Sequence, residues 1–199
     1  MKLRFLALSL LFFSLSYSQE DGLGVIALNK KSYPEKIEAD KIGKLPSYVK
    51  VYFDRDYKNH SPEEILLANE IDFIIDSILK KNLKVDLVFY SNIDLKNISN
   101  SLSYLTGGLE HGRFYEKTAF PRRATKVNSE RYQISVSVRR FPYSNKRTFY
   151  YLFLFDTLKR KNLGYEQIIV DHSNIFDLNV TSHYVTMLLD NFNKIINKQ

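Results

Sequence analysis

The chain has 199 residues, 44% hydrophobic and 14% aromatic, enough for a sizeable core, which excludes a wholly disordered chain. It contains no cysteine, so disulfides, thiolate metal sites and a cysteine nucleophile are excluded. Lys and Arg number 29 against 22 Asp and Glu, a formal charge of +7.

Residues 1–18 read as an address. Lys2 and Arg4 precede the apolar run Phe5–Leu15, and Ser16 and Ser18 put small side chains before a cleavage point at Ser18/Gln19. That order is a secretory signal peptide. The run is too short and too often interrupted by serine for a spanning helix, which needs ~20 apolar residues. No later stretch reaches that length. The expected product is exported, periplasmic or secreted, with no transmembrane segment. Residues 19–199 are expected to form a single α+β domain, with 19–47 a partly irregular lead-in.

Val25–Leu28 suits a short first strand. Ser32-Tyr-Pro-Glu35 has the spacing of a helix cap, and a short helix ending at Gly43 is expected. Val49–Asp54 alternates as a strand. Ser61-Pro62-Glu63-Glu64 is a helix start by the same cap chemistry, and Leu67, Ile71, Ile74, Ile75 and Ile78 then form one helical stripe. Val85–Tyr90 follows as a strand, completing an N-terminal βαβ unit. Leu95, Ile98, Leu102 and Leu105 mark a second helix, with Gly107 placed to end it. A long connection, 107–130, comes next.

Tyr132, Ile134, Val136 and Val138 alternate with Gln133, Ser135, Ser137 and Arg139, the pattern of a half-exposed antiparallel strand. Thr148–Phe155 is apolar on both faces and reads as a central strand. A turn near Asn162-Leu163-Gly164 leads to a strand at Gln167–Asp171. Ser182 is placed to cap a last amphipathic helix carrying Val185, Leu188, Leu189, Phe192, Ile195 and Ile196. The predicted fold is α+β. It has a mixed sheet with the βαβ unit, a C-terminal antiparallel three-strand meander and a C-terminal amphipathic helix.

The positive charge is concentrated. Residues 105–165 hold 13 basic and 4 acidic side chains, net +9, between two acidic flanks. In a three-strand meander, the segment entering the first strand and the turn after the second share one end. Arg122, Arg123, Lys126 and Arg131 should therefore approach Lys159, Arg160 and Lys161, while Arg139, Arg140, Lys146 and Arg147 belong to the other end. With Arg113 added, the first group is a candidate anion-binding patch, since crowded like charges favour a neutralising partner. An envelope lipid, a glycan or an acidic protein would fit. Nucleic acid is disfavoured, because Phe149, Tyr150 and Tyr151 read as core and the chain carries an export signal.

Catalytic motifs are sparse. His60, His111, His172 and His183 show no zinc spacing, and no Walker loop, G-x-G-x-x-G or G-x-S-x-G occurs. No metal or other cofactor is implied. Asp54/Asp56 and Asp72/Asp76 are carboxylate pairs too few for a hard-cation site. The best local candidate is Gly107-Gly108-Leu109-Glu110-His111-Gly112-Arg113, where Glu110 and His111 can act as acid and base and Arg113 can hold an anion. The leading reading is an exported, non-catalytic binding domain for an anionic partner. The alternatives are a secreted hydrolase using the 107–113 loop, and a structural subunit pairing through a Tyr/Phe-rich strand edge.

Overall fold

A computed structural model describes residues 25–31, 37–51, 61–89, 95–113, 130–140, 147–171 and 177–197. The elements run β1 (Val25–Lys31), β2 (Ile37–Glu38), β3 (Lys41–Lys44), β4 (Tyr48–Val51), α1 (Pro62–Asn82), β5 (Asp86–Phe89) and α2 (Leu95–Glu110). Then follow β6 (Tyr132–Arg140), β7 (Arg147–Asp156), β8 (Lys161–Asp171), α3 (Leu178–Asn193) and β9 (Ile196–Asn197). The signal segment, Arg122, Arg123, Lys126, Lys146, His60, His172, and Asp54 with Asp56 lie outside the described residues.

A strand apolar on both faces needs cover on both. β7 finds it at the centre of a seven-stranded sheet ordered β1-β8-β7-β6-β3-β5, with β4 also pairing β6. The β6-β7-β8 meander is antiparallel, and β3, β4 and β5 add parallel strands, so the sheet is mixed. On one face Tyr150, Leu152 and Leu154 of β7 pack with Ile134, Val136 and Val138 of β6 under α1 and α3. On the other, Phe149, Tyr151, Phe153 and Phe155 stack along β7 with ring centroids 5.7–6.3 Å apart. Ile98, Leu102 and Leu105 of α2 cover that ladder. Burying such side chains contributes roughly 1.5–3 kcal/mol each.

Local chemistry sets the helix starts. Ser61 Oγ accepts from Glu64 N at 3.2 Å, and Ser61 N donates to Glu64 Oε2 at 3.0 Å, closing the expected capping box. Leu67, Ile71, Ile75 and Leu79 then face the core. α3 is capped five residues before the expected Ser182, by Asp177, whose Oδ1 accepts from Asn179 N. Ser182 instead lies inside the helix and donates to the Leu178 carbonyl.

Several expectations are corrected. No helix ends at Gly43, because residues 41–44 are β3, hydrogen-bonded to both β5 and β6. β3 and β4 run along β6 as two halves of one interrupted strand, and β5 of the βαβ unit pairs with the first half. The turn after β7 is Thr157–Arg160. The Asn162–Gly164 segment already belongs to β8, where a register shift absorbs it and Asn162 Oδ1 accepts from Gly164 N. β6 is not half-exposed: Gln133, Ser135 and Ser137 are wholly buried. Its serines donate to the Pro46 and Tyr48 carbonyls of the neighbouring interrupted strand. Finally, the Tyr/Phe-rich β7 has a partner on each side and offers no edge. No helix among the described residues is long and apolar enough to cross a membrane.

Candidate functional site

The β6–β7 register puts Tyr132 opposite Asp156, so Arg131 and the turn after β7 meet at one end of the meander. Thr157 N donates to the Arg131 carbonyl at 2.8 Å, and Thr157 Oγ1 to the Glu130 and Arg131 carbonyls. Asp156, 1% exposed, is the anchor of this end. Its Oδ2 accepts from Arg131 Nε and Nη2 at 3.2 and 3.1 Å, and its Oδ1 accepts from Lys159 N at 2.9 Å. The hydrogen bond to Asp156 raises the Arg131 pKa above its ordinary value.

Leu158, Lys159, Arg160 and Lys161 are all exposed, and among the described residues no carboxylate pairs with these three cations. Arg131 and Lys159–Lys161 thus share one end, as the meander requires. Leu158 went unnoticed in the sequence. Its signal was an apolar residue inside an otherwise polar turn.

Arg113 does not join them. α2 runs on through Gly107 and Gly108 to Glu110, because neither glycine leaves helical geometry there. The break comes at Gly112, with φ +70°. Arg113 N donates to the Gly108 carbonyl at 2.8 Å and Gly112 N to the Leu109 carbonyl at 3.0 Å, the paired bonds of a left-handed helix cap. This end of α2 is tied to Arg139, seven residues along β6 from Tyr132, or about 23 Å at 3.3 Å per residue. Arg113 and Arg131 therefore sit at opposite ends of the meander.

Glu110 and His111 are committed locally. Glu110 Oε1 takes Arg139 Nη1 at 2.9 Å, and the same Nη1 donates to Thr106 Oγ1. Arg139, read from sequence as a polar position of a half-exposed strand at the far end of the meander, is buried. The Tyr151 hydroxyl lies against Glu110 and Gln167, at a geometry too loose for a well-formed hydrogen bond. Burial raises the Glu110 pKa, while Arg139 and then His111 act against the rise. Burial also pushes the Tyr151 hydroxyl strongly upward. His111 is exposed and donates Nδ1–H to the Gly107 carbonyl at 2.8 Å.

An open groove of about 470 Å³ follows the outer side of α2, lined by Ser103, Tyr104, Gly107, Gly108, His111 and Arg113. It contains no nucleophile paired with a base among the described residues. Asp72 and Asp76, considered for a metal, converge on the buried ammonium of Lys44 instead. The described residues hold no cluster of three or more metal-ligating side chains. His183 lies exposed on α3, edge-on to Tyr184 at 5.3 Å.

No family model matches the chain, and no curated protein matches it. Among solved structures it is similar to the PelC dodecamer from Paraburkholderia phytofirmans, at 11% identity and a TM-score of 0.45, over 87% of this chain and 99% of that one. It is also similar to the hypothetical protein CT253 from Chlamydia trachomatis, at 12% identity and a TM-score of 0.38, over 77% and 93%. Likenesses at this level carry no inference about fold or function.

Proposed function

We propose that the chain is an exported, non-catalytic binding domain whose cationic meander end docks an anionic partner. One observation carries the reading: Lys159, Arg160 and Lys161 project into solvent beside Arg131, while the buried carboxylate of Asp156 is already filled by Arg131 and a backbone amide. Exposed charge of one sign raises the local concentration of opposite charge. The acid/base alternative has less support, since Glu110 is held by Arg139 and His111 by its own helix. Export rests on the Lys2/Arg4, Phe5–Leu15 and Ser16/Ser18 pattern.

Two measurements test this reading. The mature protein recovered from an exporting host should begin at Gln19. It should be retained on heparin beads at low salt and released at high salt, since screening shortens the reach of exposed charges to about 3 Å at 1 M. Changing Lys159, Arg160 and Lys161 together to Glu should abolish retention. Unchanged retention of that folded variant refutes the proposal.

A further inference from the structure

We infer that the anionic partner is a lipid surface, with Leu158 entering the headgroup layer and Lys159, Arg160 and Lys161 pairing with the phosphates around it. This rests on the anionic docking proposed above and names its partner.

Leu158 is 75% exposed at the crest of a four-residue turn. The other large apolar side chains among the described meander residues are buried or half-buried, so Leu158 stands alone among cations as an exposed one. The turn is also fixed from below. Thr157 is bonded to the strand entrance and Lys159 N to Asp156, so presenting Leu158 does not require ordering a loose loop. Arg160 has φ +52°, a left-handed conformation that glycine adopts freely and a branched-off side chain does not. A guanidinium occupies a position where glycine would relax the backbone. Such an outlier points to function when the side chain has work to do.

The combination discriminates between anions. A soluble glycan phosphate satisfies the three cations and leaves Leu158 in water. An acidic protein surface would need an apolar pocket in the middle of its charges. A bilayer of anionic phospholipid offers both, with phosphates at the surface and hydrocarbon directly beneath. Cations near such a surface contribute about 1 kcal/mol each, or about fivefold in affinity.

The chain contains no tryptophan, so Leu158→Trp introduces a single reporter indole. With phosphatidylglycerol-containing vesicles its emission should shift to the blue, and with phosphatidylcholine vesicles it should not move. Leu158→Ser should weaken flotation with the anionic vesicles about tenfold, the order expected for losing part of a leucine transfer, and should leave heparin retention unchanged. At this exposure neither variant threatens the fold, and circular dichroism checks that. An unmoved indole, or a Leu158→Ser protein that floats like the parent, overturns the lipid assignment. Heparin retention in that case would still uphold anionic docking. Loss of both vesicle and heparin binding in the parent protein would refute the two together.

Discussion

Asp156→Asn separates the two jobs of the meander end. The change keeps the volume and an oxygen for Lys159 N, but removes the charge that faces Arg131. Hydrogen bonds to a charged group are worth about 1.5–3 kcal/mol each. Here two of them share one oxygen, and Arg131 is 46% exposed and so partly compensated by water. The expected loss is about 1–2 kcal/mol, or about 3–6 °C in Tm for a chain of this size. The same change adds one unit of positive charge to the docking end, so affinity for anionic vesicles or heparin should rise about fivefold at low salt. That gain should disappear at high ionic strength. Calorimetry reads the first effect and vesicle flotation the second. A folded variant that binds no more tightly than the parent refutes the claim that Asp156 holds down the field of this end.

The two glycines of α2 should respond in opposite directions. Gly107→Ala adds a methyl that meets nothing within 4 Å inside a helix and should stabilise by about 0.5–1 kcal/mol, whereas Gly112→Ala forces an alanine to positive φ and should cost about 1–2 kcal/mol in urea unfolding. Arg139→Leu strands Glu110 at the C-terminal end of α2 and should cost about 3–5 kcal/mol, with faster amide exchange over residues 102–110; an unchanged midpoint would show that the pair carries no weight. Glu110 should titrate above 4.5 in a carboxyl NMR experiment. Because the folded state holds this proton more tightly than the unfolded state, the parent should lose stability relative to Glu110→Gln as pH rises from 4.5 through the folded midpoint, and level off above it.

Periodicity made most of the scaffold legible. The stripe Leu67–Ile78, the two-faced apolar run at 148–155 and the capping box at Ser61 each state one element unambiguously, and all three stand. Errors arose where one residue type serves two purposes. Gly107 looks like a stop, yet glycine is tolerated inside a helix whose other face is well packed, and only a positive φ distinguishes Gly112. Asn162-Leu-Gly164 has turn composition but forms a bulge. Ser135 and Ser137 look solvent-facing, because sequence does not reveal that an interrupted neighbour strand leaves carbonyls for hydroxyls to satisfy.

At the candidate site, the pairing of Arg131 with the 159–161 turn followed from meander geometry alone. The placement of Arg113 did not, because it depends on where α2 ends and on the ion pair that pins it. Arg139 was the least legible residue. Nothing in a run of alternating polar side chains announces which of them a helix will cover.

The pairing pattern also constrains when the structure can form. β1 needs β8, with Val25 opposite Val170, and β2 needs β9, with Ile37 opposite Ile196. The earliest strands thus wait for partners from the last part of the chain. Closing such distant pairs is slow, and the order of synthesis makes it slower, since β8, α3 and β9 are made after all the other described elements. The same lateness carries a hazard: until β8 arrives, the aromatic run of β7 is paired only with β6, and its other side is an open apolar edge beside basic residues, the charge type that opposes edge-to-edge pairing with another copy.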